Sequence, residues 1–508
     1  MPQRFASCRS ARAASVAALL LLAGCATAPA DPYAAAPASQ WLSQSGELGD
    51  CLRRLQKLDA RIDADGLRDA GAARVDGYPF LRVDRYTAFS TPAKSDPQAL
   101  AQARLDRMAA LDAEGRRVEA ANARVGADEQ AAIDACRGKL VVAARADAQH
   151  VTQVARPPDA YSTDARIAGL YPLTMIPFSW GAAAWRQTTR DSYATPFPEL
   201  AVQGQRIRYV PSGGAPERVA GMLPADAGVS AAFRMPRMTP ATIRTLLQQH
   251  APVVVADTAS DDDRIGQLAW RMSGADLFVV VDASLPTAYA RIAWTEIGGT
   301  AALQLVYTFW FPARPAAHPL DLVAGHLDAL VWRVTLDGSG RPLVYDSIHG
   351  CGGFHMFFPT ERVRDRPGSP EDEGPFDEPM FAPQFVYSPG PGERVVVYLG
   401  AGDHNIERVA IDTPEPAPGT PYVIADEDRL RVLPLPAAAG GGTRSIFRPD
   451  GLVPGTERTQ RFVFWPTGVP SAGQMRQWGH HATVYVGRRH FDDPHLIERY
   501  FSIAPVAD

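Results

Sequence analysis

The sequence predicts an α+β fold: an N-terminal helical hairpin region followed by a large, mainly antiparallel β-rich domain. Three observations lead there. Between Trp41 and Leu58 apolar residues recur at helical spacing, with Cys51, Leu52, Leu55 and Leu58 on one side. Beyond about Thr195 strand-like runs replace helical ones, and helices followed by strands argue for segregated layers. Finally, 44 Pro and 42 Gly among 508 residues supply the many turns that a strand-rich chain needs.

The elements follow in order. Gly77 to Tyr86 carries Pro79 and aromatics and reads as extended. Asp96-Pro97 is an N-cap with proline at the first helical position, and the helix it starts runs to about Ala123. A second helix spans about Ala127 to Val154, and the charged residues of both are expected to be solvated faces. Arg156-Pro157-Pro158 marks a boundary. The apolar segment from Gly169 to Trp185 contains Pro172 and Pro177 and is expected to be buried in its own domain, with a membrane-surface position as the alternative. Arg206 to Val210, Val253 to Val255 and Leu277 to Val281 read as strands, and Thr239-Pro240 caps a helix to about Gln249. Tyr289 to Glu296 and Leu303 to Phe311 form a hairpin around Gly298-Gly299; Leu330 to Leu336 and Leu343 to Asp346 form another. Val395 to Leu399, Ile406 to Ile411 and Arg461 to Trp465 complete the strands, and Asp261-Asp262-Asp263 reads as a solvated turn. The expected domains are therefore a helical region at 41–155 and a β-rich main domain at 160–508, with a break near 365–383. A net charge of −5 offers no electrostatic case for nucleic acid.

The leader has a basic start (Arg4, Arg9, Arg12), a short apolar run from Val16 to Leu22, and the tetrapeptide Leu22-Ala23-Gly24-Cys25. That tetrapeptide resembles the lipobox of bacterial lipoproteins. The resemblance implies a signal peptide at 1–24, cleavage before Cys25 and acylation there, palmitate included. A flexible Ala/Pro-rich tether would follow at 25–40. Ala26 after the lipid cysteine favours the outer membrane, facing the periplasm, over the inner membrane or the cell surface. In that oxidising compartment Cys51 and Cys136, both in helical segments of one region, are the expected disulfide, leaving Cys351 as the odd thiol.

Longer phrases strengthen the likeness. They include Gly77 to Arg82, Gly169 to Thr174, Tyr307 to Arg314, Leu327 to Leu336, Gly479 to Thr483 and Arg488 to Pro494. Together they resemble a family of uncharacterised proteobacterial lipoproteins. The family implies localisation and one co-folding unit, with no known activity. It also implies Cys-Gly-Cys in the bend described next, where this chain has Gly353 at the second cysteine position.

The chemistry concentrates in Tyr345 to Pro359, where His349, Cys351 and His355 lie on a Gly-rich bend. The leading reading is a non-enzymatic envelope protein in which the bend is a packed turn and the partner is an envelope protein, lipid or peptidoglycan. One alternative is a Zn or Cu site built from His349, Cys351 and His355, with His404, His480 or His481 as fourth ligand and Asp346 orienting an imidazole. The other is a cysteine hydrolase acting on cell-wall material, with Cys351 as nucleophile, His404 as base and Asp346 as a further candidate. Arg476, Arg488 and Arg489 are expected to be solvated or internally paired, and Trp310, Trp332, Trp465 and Trp478 to build core.

Overall fold

A computed structural model describes residues 31–92, 96–213, 232–233, 235–236, 238–366, 377–412 and 418–504. The leader, Cys25 and most of the 365–383 loop lie outside them.

The helical region comes first. Helices α1 (Ala38–Ser43) and α2 (Glu47–Ala64) lead into a two-stranded hairpin, β1 (Ala73–Val75) and β2 (Tyr78–Val83). Then come α3 (Arg85–Phe89), the long α4 (Pro97–Asn122), α5 (Ala127–Ala144) and α6 (Ala148–Val154). The Asp96 side chain accepts the Ala99 N–H, so the expected cap starts α4. Cys51 of α2 and Cys136 of α5 are joined in a disulfide. The packed chain reaches back into the stretch expected to be a tether: Tyr33 is buried and its hydroxyl donates to Asp59 Oδ2 at 2.7 Å.

The charged face of α4 is not solvated. Asp112, Arg116 and Glu119 recur at helical spacing and are fully buried. Asp112 accepts from Arg82 (3.2 Å), Arg116 (3.0 Å) and Arg137 (2.5 Å). Arg116 also reaches Asp59 at 2.8 Å, and Arg82 reaches Glu119 at 2.7 Å. Gly115 makes room, because a Cβ there would lie 2.4 Å from the Arg82 guanidinium. Burial penalises these charges, but each has an opposite charge within hydrogen-bonding reach. The network extends into the β domain through Asp69, which accepts two hydrogen bonds from Arg431 at 2.7 and 2.8 Å.

After α7 (Thr163–Ala168) and α8 (Tyr171–Ala194) the main sheet begins. Its members are β3 (Gln205–Pro211), β4 (Val253–Thr258), β7 (Thr287–Ile297), β8 (Thr300–Arg314), β9 (Gly325–Leu336), β10 (Pro342–His349), β11 (Met356–Pro359), β13 (Val395–Leu399), β14 (Ile406–Ile411) and β15 (Thr420–Asp426). The spatial order is β11-β10-β9-β8-β7-β15-β3-β4-β13-β14. All pairs are antiparallel except β7/β15, β15/β3 and β4/β13. Outside the sheet lie the hairpin β5 (Gln267–Ser273)/β6 (Asp276–Asp282) and the short β12 (Val363–Asp365). The fold class expected from sequence is thus the one observed.

The central strands β8 to β10 are buried on both faces. On one face Phe309, Phe311, Leu330, Trp332 and Tyr345 form the principal core, closed by Leu246 of α9 (Pro240–His250) and by Trp185. On the other, Val306, Val331 and Ile348 meet Phe491 from the C-terminal segment. Strand periodicity of two makes this division strict.

Three expectations fail locally. Arg461 to Trp465 is not a strand: the chain forms the short helix α10 (Arg461–Phe464) and a 3-10 turn that continues it. The stretch from 427 to 504 holds only short elements and packs as irregular chain over the sheet, while β15, hidden behind the Pro-rich 413–421 stretch, is a genuine sheet member. Gly169 to Trp185 is largely α8, a helix that keeps Pro177 in its interior and exposes Leu173 and Trp180.

Truncating one member of the α4 network tests its weight. Arg116→Ala leaves Asp59 and Asp112 buried with a missing partner, and should lower unfolding stability by about 3–5 kcal/mol in urea titrations. A loss under 1 kcal/mol would mean that the network contributes little.

Candidate functional site

The bend is closed by its own backbone. His349 N–H donates to Gly353 O at 3.0 Å, and Gly352 N–H donates to His349 O at 2.7 Å. Gly350 N–H donates to Ala329 O on β9 at 2.7 Å. Gly352 has φ +99°, and a Cβ there would lie 2.2 Å from Ala482 O, so only glycine fits.

Two aspartates on neighbouring strands then divide the histidines. Asp328 lies on β9 in the same face as Leu330 and Trp332. His349 pairs across the strands with Leu330 and so shares that face. Its Nδ1 is 3.7 Å from Asp328 Oδ2, and its Nε2 is buried with no hydrogen-bond partner. His404 hydrogen-bonds Asp328 Oδ2 through Nδ1 at 2.9 Å. Its Nε2 lies 3.3 Å from Asp263 Oδ1, close but poorly aligned for a hydrogen bond. The His404 ring stacks on Phe311 at 3.9 Å. A buried row therefore runs Asp263, His404, Asp328, His349.

Asp346 lies three residues before His349, hence on the opposite face. It pairs across the strands with Arg333, whose guanidinium grips it at 2.9 and 2.5 Å. His355 joins that pair, its Nε2 lying 3.1 Å from Asp346 Oδ2. Phe491 covers both His355 and the guanidinium.

Protonation follows from these partners. Burial alone would push His404 down, but Asp263 and Asp328 overcome it and raise the imidazole to about 9, so it is a cation at neutral pH. Burial alone would raise the two carboxyls, yet His404 brings Asp263 to about 2, and His349 with His404 holds Asp328 well below its usual value. His355 goes the other way: burial lowers it to about 4 despite Asp346. Burial likewise lowers His481 to about 3, with Arg476 and His480 adding to it.

Cys351 sits apart from these rows. It packs beside Met475, Ala329 and Trp310 and is partly accessible. Burial raises its thiol, the Gly353 N–H offsets part of that, and nearby Asp328 opposes ionisation. Arg476 donates to Cys351 O at 3.2 Å and to Ser471 O, and its charge, with that of Arg458, offsets part of the thiol's upward shift.

The proposed sets do not assemble. His349 and His355 point to opposite faces of the sheet, each held by its own aspartate, so His349, Cys351 and His355 do not share an ion. Among the described residues no group of three or more His, Cys, Asp or Glu is placed to hold a metal. His480 is engaged elsewhere, its Nε2 lying 2.8 Å from Ala70 O of the helical region. The hydrolase set is partnered differently from the expectation. His404 is a charged bridge rather than a free base, its carboxylate is Asp328 rather than Asp346, and the thiol is held protonated. Asp346 does orient an imidazole, that of His355. Arg488 pairs with Asp159, and Arg489 donates to Tyr500 and to Glu378 O, so both are internally used. Trp310 and Trp332 are core, whereas Trp465 is exposed.

Sequence reasoning missed Asp328 and Asp263. Asp328 had a signal: a lone carboxylate with the parity of Leu330 and Trp332 in an apolar strand. Asp263 differs from its neighbours in being buried, where Asp261 is exposed. Compared with family models, curated proteins and solved structures, the chain matches none of them.

The opposed shifts give a pH signature. His404 binds its proton more tightly folded (about 9) than unfolded (6.5), so its contribution is complete below pH 6.5 and lost as pH rises through about 9. His355 has a folded value of about 4, so its contribution is complete above pH 6.5 and lost as pH falls through about 4. Urea stability should therefore decline on both sides of neutrality. His404→Gln should flatten the alkaline limb and His355→Gln the acid limb. Unchanged slopes in these variants would contradict the assignment.

Proposed function

We propose that this chain is a lipid-anchored protein of the outer membrane, facing the periplasm, whose folded body is non-catalytic and holds a partner close to that membrane. The observation that supports the non-catalytic reading is the engagement of His404 and His355 with buried carboxylates, together with the burial of the thiol. His404 is clamped between two carboxylates, His355 between Asp346 and aromatic rings, and the thiol is kept protonated by burial. Groups engaged in this way rigidify the turn that carries them.

The anchor reading rests on the lipobox-like Leu22-Ala23-Gly24-Cys25 and on the packing of the chain from Tyr33 onward, a few residues beyond the cysteine. No helix among the described residues is long and apolar enough to cross a membrane. Its partner is an envelope protein, lipid or peptidoglycan.

Labelling cells with radioactive palmitate should mark the protein, Cys25→Ala should abolish the label, and density-gradient fractionation should place it with the outer membrane. Label-free protein would sink the anchor, and inner-membrane fractionation would correct the location. The body has its own test. Cys351 should react with iodoacetamide more slowly than glutathione at neutral pH, and purified protein should hold no stoichiometric Zn or Cu. A fast thiol, or a metal lost in Cys351→Ser, would overturn the non-catalytic reading.

A further inference from the structure

α8 departs from what its sequence leads one to expect, and the departure has a direction. From Ile167 to Trp185 the chain has nineteen residues and no Asp, Glu, Lys, Arg or His. Such a run normally goes inside. Here one side does: Trp185 packs into the principal core, Phe178 stacks on Phe464 at 5.0 Å, and Arg186 is buried. The other side faces out. Leu170, Leu173, Pro177 and Trp180 follow one another at steps of three and four, which is one face of a helix. Leu173 is 67% and Trp180 70% exposed, so among the described residues the stripe is uncovered.

The stripe has neighbours. Gly169 lies against Pro466, so close that a Cβ would be 2.5 Å from it, and this brings α10 and the turn after it alongside. Phe462 and Trp465 there are exposed as well. Exposed apolar residues thus lie on two adjacent elements, each with a tryptophan, and the Arg461 guanidinium lies over the Phe462 ring. Patches of this kind on a protein surface mark contact sites.

We propose that this face rests on the lipid bilayer, with α8 lying in the plane of the membrane surface and its Leu170-Leu173-Trp180 stripe inserted among the acyl chains near the headgroups. The inference rests on the anchored reading above. Under it, the lipid-bearing Cys25 precedes the first described residue, Asp31, by six positions, a reach of about 20 Å at most. Packing begins at once, since Tyr33 is buried and bonded to Asp59. A body tied that closely must turn some part of its surface to the bilayer, and the uncharged stripe is the part that gains by burial there. α8 cannot span, because its inner face is fastened to protein, so an in-plane position is the geometry left. Tryptophans suit the boundary between headgroup and chain, with an apolar ring and an N–H for the polar side.

The test uses the full lipidated chain, extracted from membranes and reconstituted into phosphatidylethanolamine–phosphatidylglycerol vesicles, with or without lipids brominated near the headgroup. Tryptophan emission should fall in brominated vesicles. Trp180→Phe with Trp465→Phe should remove most of that loss, and Leu170→Glu with Leu173→Glu should abolish it while the palmitate label stays. These positions are exposed, and circular dichroism checks that each variant is folded. Labelled protein without quenching would overturn the surface contact and leave the anchor standing. Quenching without label would remove the anchor and retain the contact. A photocrosslinker at Leu173 that captures protein instead of lipid in cells would also overturn the proposal, since the face would then belong to a protein partner.

Discussion

Each imidazole of the bend answers to a different buried carboxylate, and the sheet stands between the two. Asp328 and Asp346 sit on adjacent strands, β9 and β10, with opposite parity. Buried carboxylates must find cations or donors, because an unpaired one costs several kcal/mol. Asp346 finds Arg333 and His355; Asp328 finds His404 and, at longer range, His349. That requirement sets the bend's conformation. Strain near the bend points the same way. His404, Phe354 and Leu327 have φ of +52°, +61° and +50°, a region that costs a non-glycine residue about 1–2 kcal/mol. The ion contacts of Asp328 and the stacking of His404 on Phe311 offset it.

The same rule, charge buried only with its partner, joins the two halves of the molecule. Asp112 collects three arginines, Arg116 connects it to Asp59, and Arg82 connects it to Glu119. Asp69 then carries the network to Arg431 beside the sheet. Arg85 with Asp492 and His480 with Ala70 O add contacts of the same kind. The helical region is therefore fastened to the C-terminal segment by polar contacts, in addition to its own apolar core of Leu52, Leu55, Phe80, Leu105 and Leu140.

How much of this was legible depends on the range of the force involved. Local signals read well. The Asp96-Pro97 start of α4, the Thr239 cap of α9, the hairpin at Gly298-Gly299 and the strand pair ending at Asp346 all stand where the sequence puts them. The disulfide followed from counting cysteines by compartment and region. Long-range pairing did not read. Asp112, Arg116 and Glu119 look like a solvated helix face until Arg82, distant in sequence, is seen to fill the space beside Gly115. Asp263 looks like one of three turn carboxylates until His404 arrives from elsewhere in the chain. Arg461 to Trp465 has strand-like composition, but it forms a short helix and a 3-10 turn whose Pro466 packs against Gly169. At the bend, the residue types were found and their parity was not used: His349 and His355 are six apart, yet a turn intervenes and reverses the face.

The exposed stripe of α8 fits this picture because of where the chain enters the body. Tyr33, close to the entry, donates to Asp59, and Asp59 is held by Arg116 inside the α4 network. In free solution an uncharged face bearing Leu173, Trp180 and Phe462 would invite self-association. Beside a bilayer, as proposed, the same face would bury apolar area in lipid at about 25 cal/mol per Å², and the proposed anchor would supply the proximity in advance. Under the proposed anchoring, packing near the entry and apolarity at α8 would be two parts of one arrangement, in which a weak surface contact is made persistent by proximity.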